Sequence, residues 1–134
     1  MNKFINSRLT HLLDRAYAPY SNFKVSCVLK IKDGQMYSGK NLENASFSAT
    51  ICAERVALCN AFGNNVDPKD ITEIHLMSSN PKPIPMCFVC VQTFAEFLSP
   101  DVDVFLYGFQ GIKHQSMKFS EFMGDMGAFK LNED

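Results

Sequence analysis

The sequence has little of what would mark a membrane, secreted or nucleic-acid-binding protein. Its 134 residues contain no stretch approaching the roughly 20 consecutive apolar residues of a membrane-spanning helix, and no N-terminal apolar run of the signal-peptide type. No membrane partner is expected, and the cytoplasm is the expected compartment. Neither sign of charge is in excess. Thirteen basic and 14 acidic residues give a formal net charge of −1, which leaves no electrostatic footprint for a phosphate backbone, so nucleic acid is not expected as a partner. Histidine is scarce, and His11, His75 and His114 lie in no ligand-like spacing. The five cysteines are an odd number, and in a reducing compartment a Cys-x-x-Cys points to metal or redox chemistry before disulfides. Repeats, linkers and composition shifts are also missing. The expectation is one domain over residues 1–134, with 46% apolar residues and 12 Phe to build its core.

What is present centres on two short segments, Cys52-Ala53-Glu54-Arg55 and Cys87-Phe88-Val89-Cys90. Together they offer three thiolates to one metal ion. A closed structural zinc site takes four protein ligands, whereas a catalytic site supplies three and leaves the fourth position open. Glu54, two positions from Cys52, is near enough to shuttle protons as a general acid and base. A structural zinc site would need a fourth ligand that the histidines do not offer, and a redox pair at Cys87 and Cys90 would explain neither Cys52 nor Glu54. A Cys two before a Glu, followed later by Cys-x-x-Cys, matches the signature of the zinc-dependent nucleobase deaminases. With no basic surface, such chemistry is expected to act on a small free molecule.

Periodicity places these segments. Ile5, Leu9, Leu12, Leu13 and Ala16 form the apolar stripe of a first helix, which Pro19 should end. After a turn-like stretch, Ala18-Pro19-Tyr20-Ser21-Asn22, the residues Val25, Cys27, Leu29 and Ile31 alternate with polar ones as a strand with one buried face, although Val28 breaks the polar side. Asp33-Gly34 predicts a hairpin with a two-residue turn into a strand over 36–40. Asn41-Leu42-Glu43-Asn44 follows, equally readable as a solvated loop or as part of a site. A buried helix is expected over 48–62, with Cys52 and Glu54 in its first turns and Cys59 in the core. A strand over 71–77, a proline-rich loop over 80–85, a helix over 87–98, strands over 102–107 and 112–117 and a short helix from Ser120 complete the order. Helix N-termini at Cys52 and Cys87 would favour thiolates. The order implies an α/β fold with helices packed on a sheet of about five strands.

Nearly the whole chain resembles the small homotetrameric zinc-dependent cytidine deaminases. Ala18-Pro19-Tyr20-Ser21-Asn22-Phe23, Gly39-Lys40-Asn41-Leu42-Glu43-Asn44-Ala45, Cys52-Ala53-Glu54-Arg55 and Gly127-Ala128-Phe129 occur in that family's order and spacing. The resemblance implies a three-layer cytidine deaminase-like fold, a mixed sheet with helices on both faces. It implies one zinc per chain on Cys52, Cys87 and Cys90, with Glu54 as proton shuttle and Arg55 offsetting thiolate charge. Asn41 and Glu43 would hold the ribose hydroxyls, Phe23 would line the base pocket, and the Ala53 N–H would meet the pyrimidine carbonyl. Phe129 would reach the base of a neighbouring subunit's site in a homotetramer. The implied reaction is hydrolytic deamination of cytidine and 2′-deoxycytidine in pyrimidine salvage. Departures surround the second cysteine pair, where Met86, Phe88 and Val91 replace the family's Pro, Gly and Arg. Phe88 is expected as a large addition beside the metal. Phe47 stands where relatives often carry Tyr, and Met126 where the tail usually has Pro. These changes bear on rate and substrate, and leave two other readings: a deaminase for another aminopyrimidine, such as a nucleoside antibiotic, or a nucleoside-binding relative of weak activity. Asn41 and Glu43 favour a nucleoside substrate over either.

Overall fold

The computed structural model describes residues 2–123. The first helix, α1 (Lys3–Asp14), is capped by Asn2, whose side-chain oxygen accepts from the Phe4 and Ile5 N–H groups at 2.8 and 3.3 Å. Ile5, Leu9 and Leu13 form its buried stripe. It ends well before Pro19, because the backbone of Tyr17 is already extended and bridged to Leu42. The Tyr17 N–H donates to Asn41 and its carbonyl accepts from Glu43.

Strand β1 (Val25–Ile31) pairs antiparallel with β2 (Met36–Lys40). Their connection is not the expected two-residue turn. The Ile31 N–H still donates to Gln35, and the Gly34 N–H donates to Ile31, which leaves a three-residue loop closed by Gly34 at φ +92°. Only the glycine of the Asp33-Gly34 pair takes the left-handed conformation. Both faces of β1 are buried. Cys27, Leu29 and Ile31 face one core cluster, whereas Val28 joins Ile5, Leu9 and Leu13 in another. The break at Val28 thus marks a second covered face, and Ser26 beside it donates its hydroxyl to Leu9 O of α1 at 2.8 Å.

The sheet runs β2-β1-β3-β4-β5, with β3 (Ile71–Ser78), β4 (Asp103–Tyr107) and β5 (His114–Lys118). All neighbours are antiparallel except β3 and β4, which are parallel and joined through α3 (Phe88–Ala95). Helices α2 (Ala53–Gly63) and α3 cover one face and α1 the other, giving three layers around a mixed five-stranded sheet. The last described element is α4 (Ser120–Met123). Since β2, β3 and β4 run in the same direction, their C-terminal ends lie at one edge of the sheet, where α2 and α3 begin.

Helix α2 begins later than expected. Residues before Cys52 form a 3₁₀ turn (Phe47–Ala49) and then an antiparallel bridge between Ile51 and Leu42, whose N–H and carbonyl groups are exchanged at 3.0 Å. Cys52 is the N-cap residue. The face turned to the sheet carries Ala53, Glu54, Ala57, Leu58 and Ala61. Cys59, expected in the core, is exposed, as is Phe62, because both lie on the opposite side of the helix. The small face lets α2 approach β2 closely. A Cβ added at Gly39 would run into the carbonyl oxygen of Ala53 and the amide nitrogen of Ala57, both backbone atoms that cannot move without the helix. Gly39→Ala should therefore destabilise the protein by about 1–3 kcal/mol, the range for overpacking a well-packed core. Thermal unfolding should show it as a lowered Tm, and an unchanged Tm would mean that the helix seat is looser than the structure indicates.

Candidate functional site

The three cysteines converge because two helices start at one place. Cys52 and Cys87 are the N-cap residues of α2 and α3, and Cys90 lies in the first turn of α3. The three sulfurs all fall within 4.8 Å of one another, with Cys52 Sγ and Cys87 Sγ 3.4 Å apart. Two thiolates on a tetrahedral zinc ion with Zn–S bonds of about 2.3 Å sit roughly 3.8 Å apart, so the spacing fits such an ion. Among the described residues no histidine or carboxylate joins the cluster. His75 in particular lies on the α1 face of the sheet, with its ring nitrogens bonded to Tyr107 and Glu73 at 2.9 and 2.8 Å. Among the described residues the donor set is three soft sulfurs.

Of the three thiols Cys52 alone is biased toward ionisation, while burial raises Cys87. Hydrogen bonding from Cys90, and from Arg55 and Cys87 after it, brings the Cys52 thiol down to about 5, against the opposing effect of burial. The same pairing holds the proton on Cys90. Arg55 points a guanidinium nitrogen at Cys52 Sγ (3.8 Å) and at the Thr50 carbonyl (3.3 Å). It is half-buried, not a solvent-exposed helix residue, and its Nε is buried without a partner. Glu54 is 3% exposed, and burial, reinforced by the Cys52 charge, pushes its carboxyl up to about 7. Its backbone belongs to the first turn of α2, so the helix seat on Gly39 fixes it beside the sulfurs.

A cavity of about 300 Å³ opens onto this cluster. Cys52, Ala53, Glu54 and Cys87 line its sulfur end, and Ser21, Phe23, Asn41 and Glu43 lie along the rest of the wall. The Asn41–Glu43 stretch is no solvated loop. Asn41 is 7% exposed and Glu43 9%. Asn41 accepts from the Val25 N–H and donates to the Phe23 carbonyl, both at 2.9 Å. Glu43 Oε1 accepts from the Tyr20 and Ser21 N–H groups at 3.0 and 3.1 Å, while Oε2 accepts the Ser21 hydroxyl. The hydroxyl above all, with the two N–H donors, keeps the Glu43 carboxyl below the usual carboxylate range. Phe129 lies outside the described residues.

Comparison with known proteins decides the family. The model of the cytidine and deoxycytidylate deaminase zinc-binding region matches residues 3–87, a span that includes Cys52, Glu54 and Cys87 and stops short of Cys90. The cytidine deaminase of Halalkalibacterium halodurans is 41% identical over 96 residues, 72% of this chain and 71% of that protein. The chain belongs to the cytidine and deoxycytidylate deaminase zinc-binding family. The cytidine deaminase of Sporosarcina psychrophila is 35% identical over 98 residues, 73% of this chain and 71% of that protein. A crystal structure of the cytidine deaminase from Burkholderia pseudomallei superposes with a TM-score of 0.85 at 32% identity, over 93% of this chain and 98% of that one.

Within this deaminase family framework the departures acquire positions. Phe88, expected as a large addition beside the metal, is 68% exposed and is not among the residues that line the cavity. Met86 and Val91 are buried in the core between α3 and the sheet. Phe47 lines the cavity although it is 85% exposed. Thr50, Ile84 and Pro85 also line it and carried no motif signal, and Ser21, which lines it too, stood inside the Ala18–Phe23 motif with no role assigned to it. Its hydrogen bond to Glu43 spans 22 residues, too far to be seen by spacing. The sulfur geometry predicts about one zinc per chain by elemental analysis, falling close to zero in Cys87→Ala or Cys90→Ala. Full zinc content in either variant would mean that the cluster is not the metal site.

Proposed function

We propose that this protein hydrolytically deaminates cytidine and 2′-deoxycytidine to uridine and 2′-deoxyuridine, releasing ammonia. One observation carries the reading: a buried carboxyl, Glu54, sits beside a three-sulfur cluster at one end of a cavity whose wall also carries Asn41 and Glu43. Cys52, Cys87 and Cys90 would hold zinc, which when bound supplies the Lewis acidity that lets water attack a pyrimidine near neutral pH. The residues of the chain then have the following work. Glu54 takes a proton from the attacking water as oxygen adds to C4, and delivers it to N3. It next takes the remaining hydroxyl proton and passes it to the amino group, so that ammonia leaves and the C4 carbonyl forms. The Ala53 N–H, at the start of α2, orients the base through its C2 carbonyl, and Phe23 packs against the ring. Asn41 and Glu43 receive the ribose, which favours a nucleoside over a bare aminopyrimidine. A net charge of −1 and a cavity lined by acidic and apolar groups favour a free nucleoside over a nucleic acid.

Glu54→Gln keeps the shape and removes the proton carrier. Turnover of cytidine, followed by its absorbance loss, should fall by at least about 10²–10⁴-fold, the usual worth of a general acid and base, with zinc content retained. Undiminished turnover would remove Glu54 from the reaction.

The same reading includes a homotetramer with shared sites, in the cytoplasm. Among the described residues no helix is long and apolar enough to cross a membrane. Exposed aromatic residues support association: Tyr20, Phe47 and Phe88 are 60%, 85% and 68% exposed, an apolar content that a monomer rarely leaves in water when contiguous. Phe129 would close a neighbour's cavity. Light scattering should give four chains per particle, and deletion of residues 127–134 should raise the KM for cytidine while zinc is kept. A fully active monomer, or an unaltered KM after deletion, would refute the shared site.

A further inference from the structure

We infer that Ser21 is a positioning residue that turns the Glu43 carboxylate toward the ribose and ties it to the loop carrying Phe23; the inference rests on the nucleoside deaminase reading. Glu43 alone cannot choose an orientation, since a carboxylate on a flexible stem has two equivalent oxygens. Here the two are made different. Oε1 is occupied by the N–H groups of Tyr20 and Ser21, whereas Oε2 has, among the described residues, only the Ser21 hydroxyl. That leaves Oε2 with acceptor capacity on a residue that lines the cavity, because a carboxylate oxygen accepts more than one hydrogen bond. The hydroxyl of Ser21 is itself fixed: its oxygen accepts from the Phe23 N–H at 3.0 Å while its proton goes to Glu43. The turn between them is held by the Asn22 N–H to Ala18 O bond (2.9 Å) and by Asn22 at φ +59°, a conformation Asn tolerates better than most residues. One hydroxyl thus couples the sugar end of the cavity to the residue that packs on the base.

A residue acting in this way should matter only as far as the substrate offers hydroxyls to Glu43. In Ser21→Ala, kcat/KM for cytidine should fall about 10-fold, as for loss of one charge-assisted hydrogen bond, mostly through KM. For 2′,3′-dideoxycytidine, which lacks both ring hydroxyls, kcat/KM should change less than about 2-fold. Ser21→Thr keeps the hydroxyl and should recover most of the cytidine activity. In Glu43→Ala the further Ser21→Ala change should have little effect, a strong departure from additivity. Equal losses on the two substrates, or additive losses in the double variant, would reduce Ser21 to a structural turn residue and overturn the inference alone. A wild-type protein that turns over neither substrate would overturn the deaminase reading as well.

Discussion

The whole site depends on how closely α2 can sit on β2. Gly39 has no side chain, and Ala53 and Ala57 place backbone directly over it. That contact sets the height of the first turn of α2 above the sheet, and this turn carries both a sulfur and the buried carboxyl. A larger residue at any of the three positions would lift Cys52 and Glu54 together, away from the α3 sulfurs. Burial of Glu54 has the same origin. Desolvation raises its proton affinity to near neutrality, which is where a group that both accepts and returns a proton is most effective. Packing and proton chemistry therefore share one cause.

A second constraint works at the other end of the cavity. The polar groups of Asn41 and Glu43 are buried, and a buried polar group must find partners. They find them in the backbone of the loop between α1 and β1: Asn41 through Phe23 and Val25, Glu43 through Tyr20 and Ser21. This loop has no regular structure of its own, so its shape is imposed by side chains from the far end of β2. Each residue that could face a ribose is also an anchor of the wall beside it, and its orientation is settled before any ligand arrives.

What could be read from sequence was the part carried by short-range pattern. The spacing of Cys87 and Cys90, the strand over residues 36–40 and the stripe of Ile5, Leu9 and Leu13 depend on neighbours a few positions away, and all reappear in the structure, whereas Cys52, 35 residues before Cys87, was legible through the Cys-x-Glu and Cys-x-x-Cys signature. Errors occurred where a distant partner decides. The start of α2 is delayed because Ile51 bridges to Leu42, and α1 stops early because Tyr17 pairs with the same segment. Cys59 and Phe62 look apolar and helical, yet the alanine face is the one that packs, since only small residues fit the close approach to Gly39. Val28 carried real information: the break in alternation reflected a sheet covered on both faces. The role of Ser21 was hidden because its partner Glu43 is far away in sequence.

The electrostatics of the sulfur cluster follow from the same geometry. Three thiolates outweigh a divalent cation by one unit, and a metal so surrounded is a weaker acid than one held by neutral imidazoles. With zinc on the three cysteines, the guanidinium of Arg55, 3.8 Å from Cys52 Sγ, would bring the formal charge back to zero. Val91, close to the sulfurs in sequence, is 4% exposed and packs into the core. An apolar contact, and no charge, is what this position contributes. What remains is Arg55 and the two helix N-termini, each with partial positive charge directed at its own N-cap cysteine. Helix ends are fixed by the fold and lose no side-chain entropy when they act, whereas an arginine must be held in place. The Gly39 contact, which sets where α2 begins, is therefore an electrostatic determinant as well as a packing one.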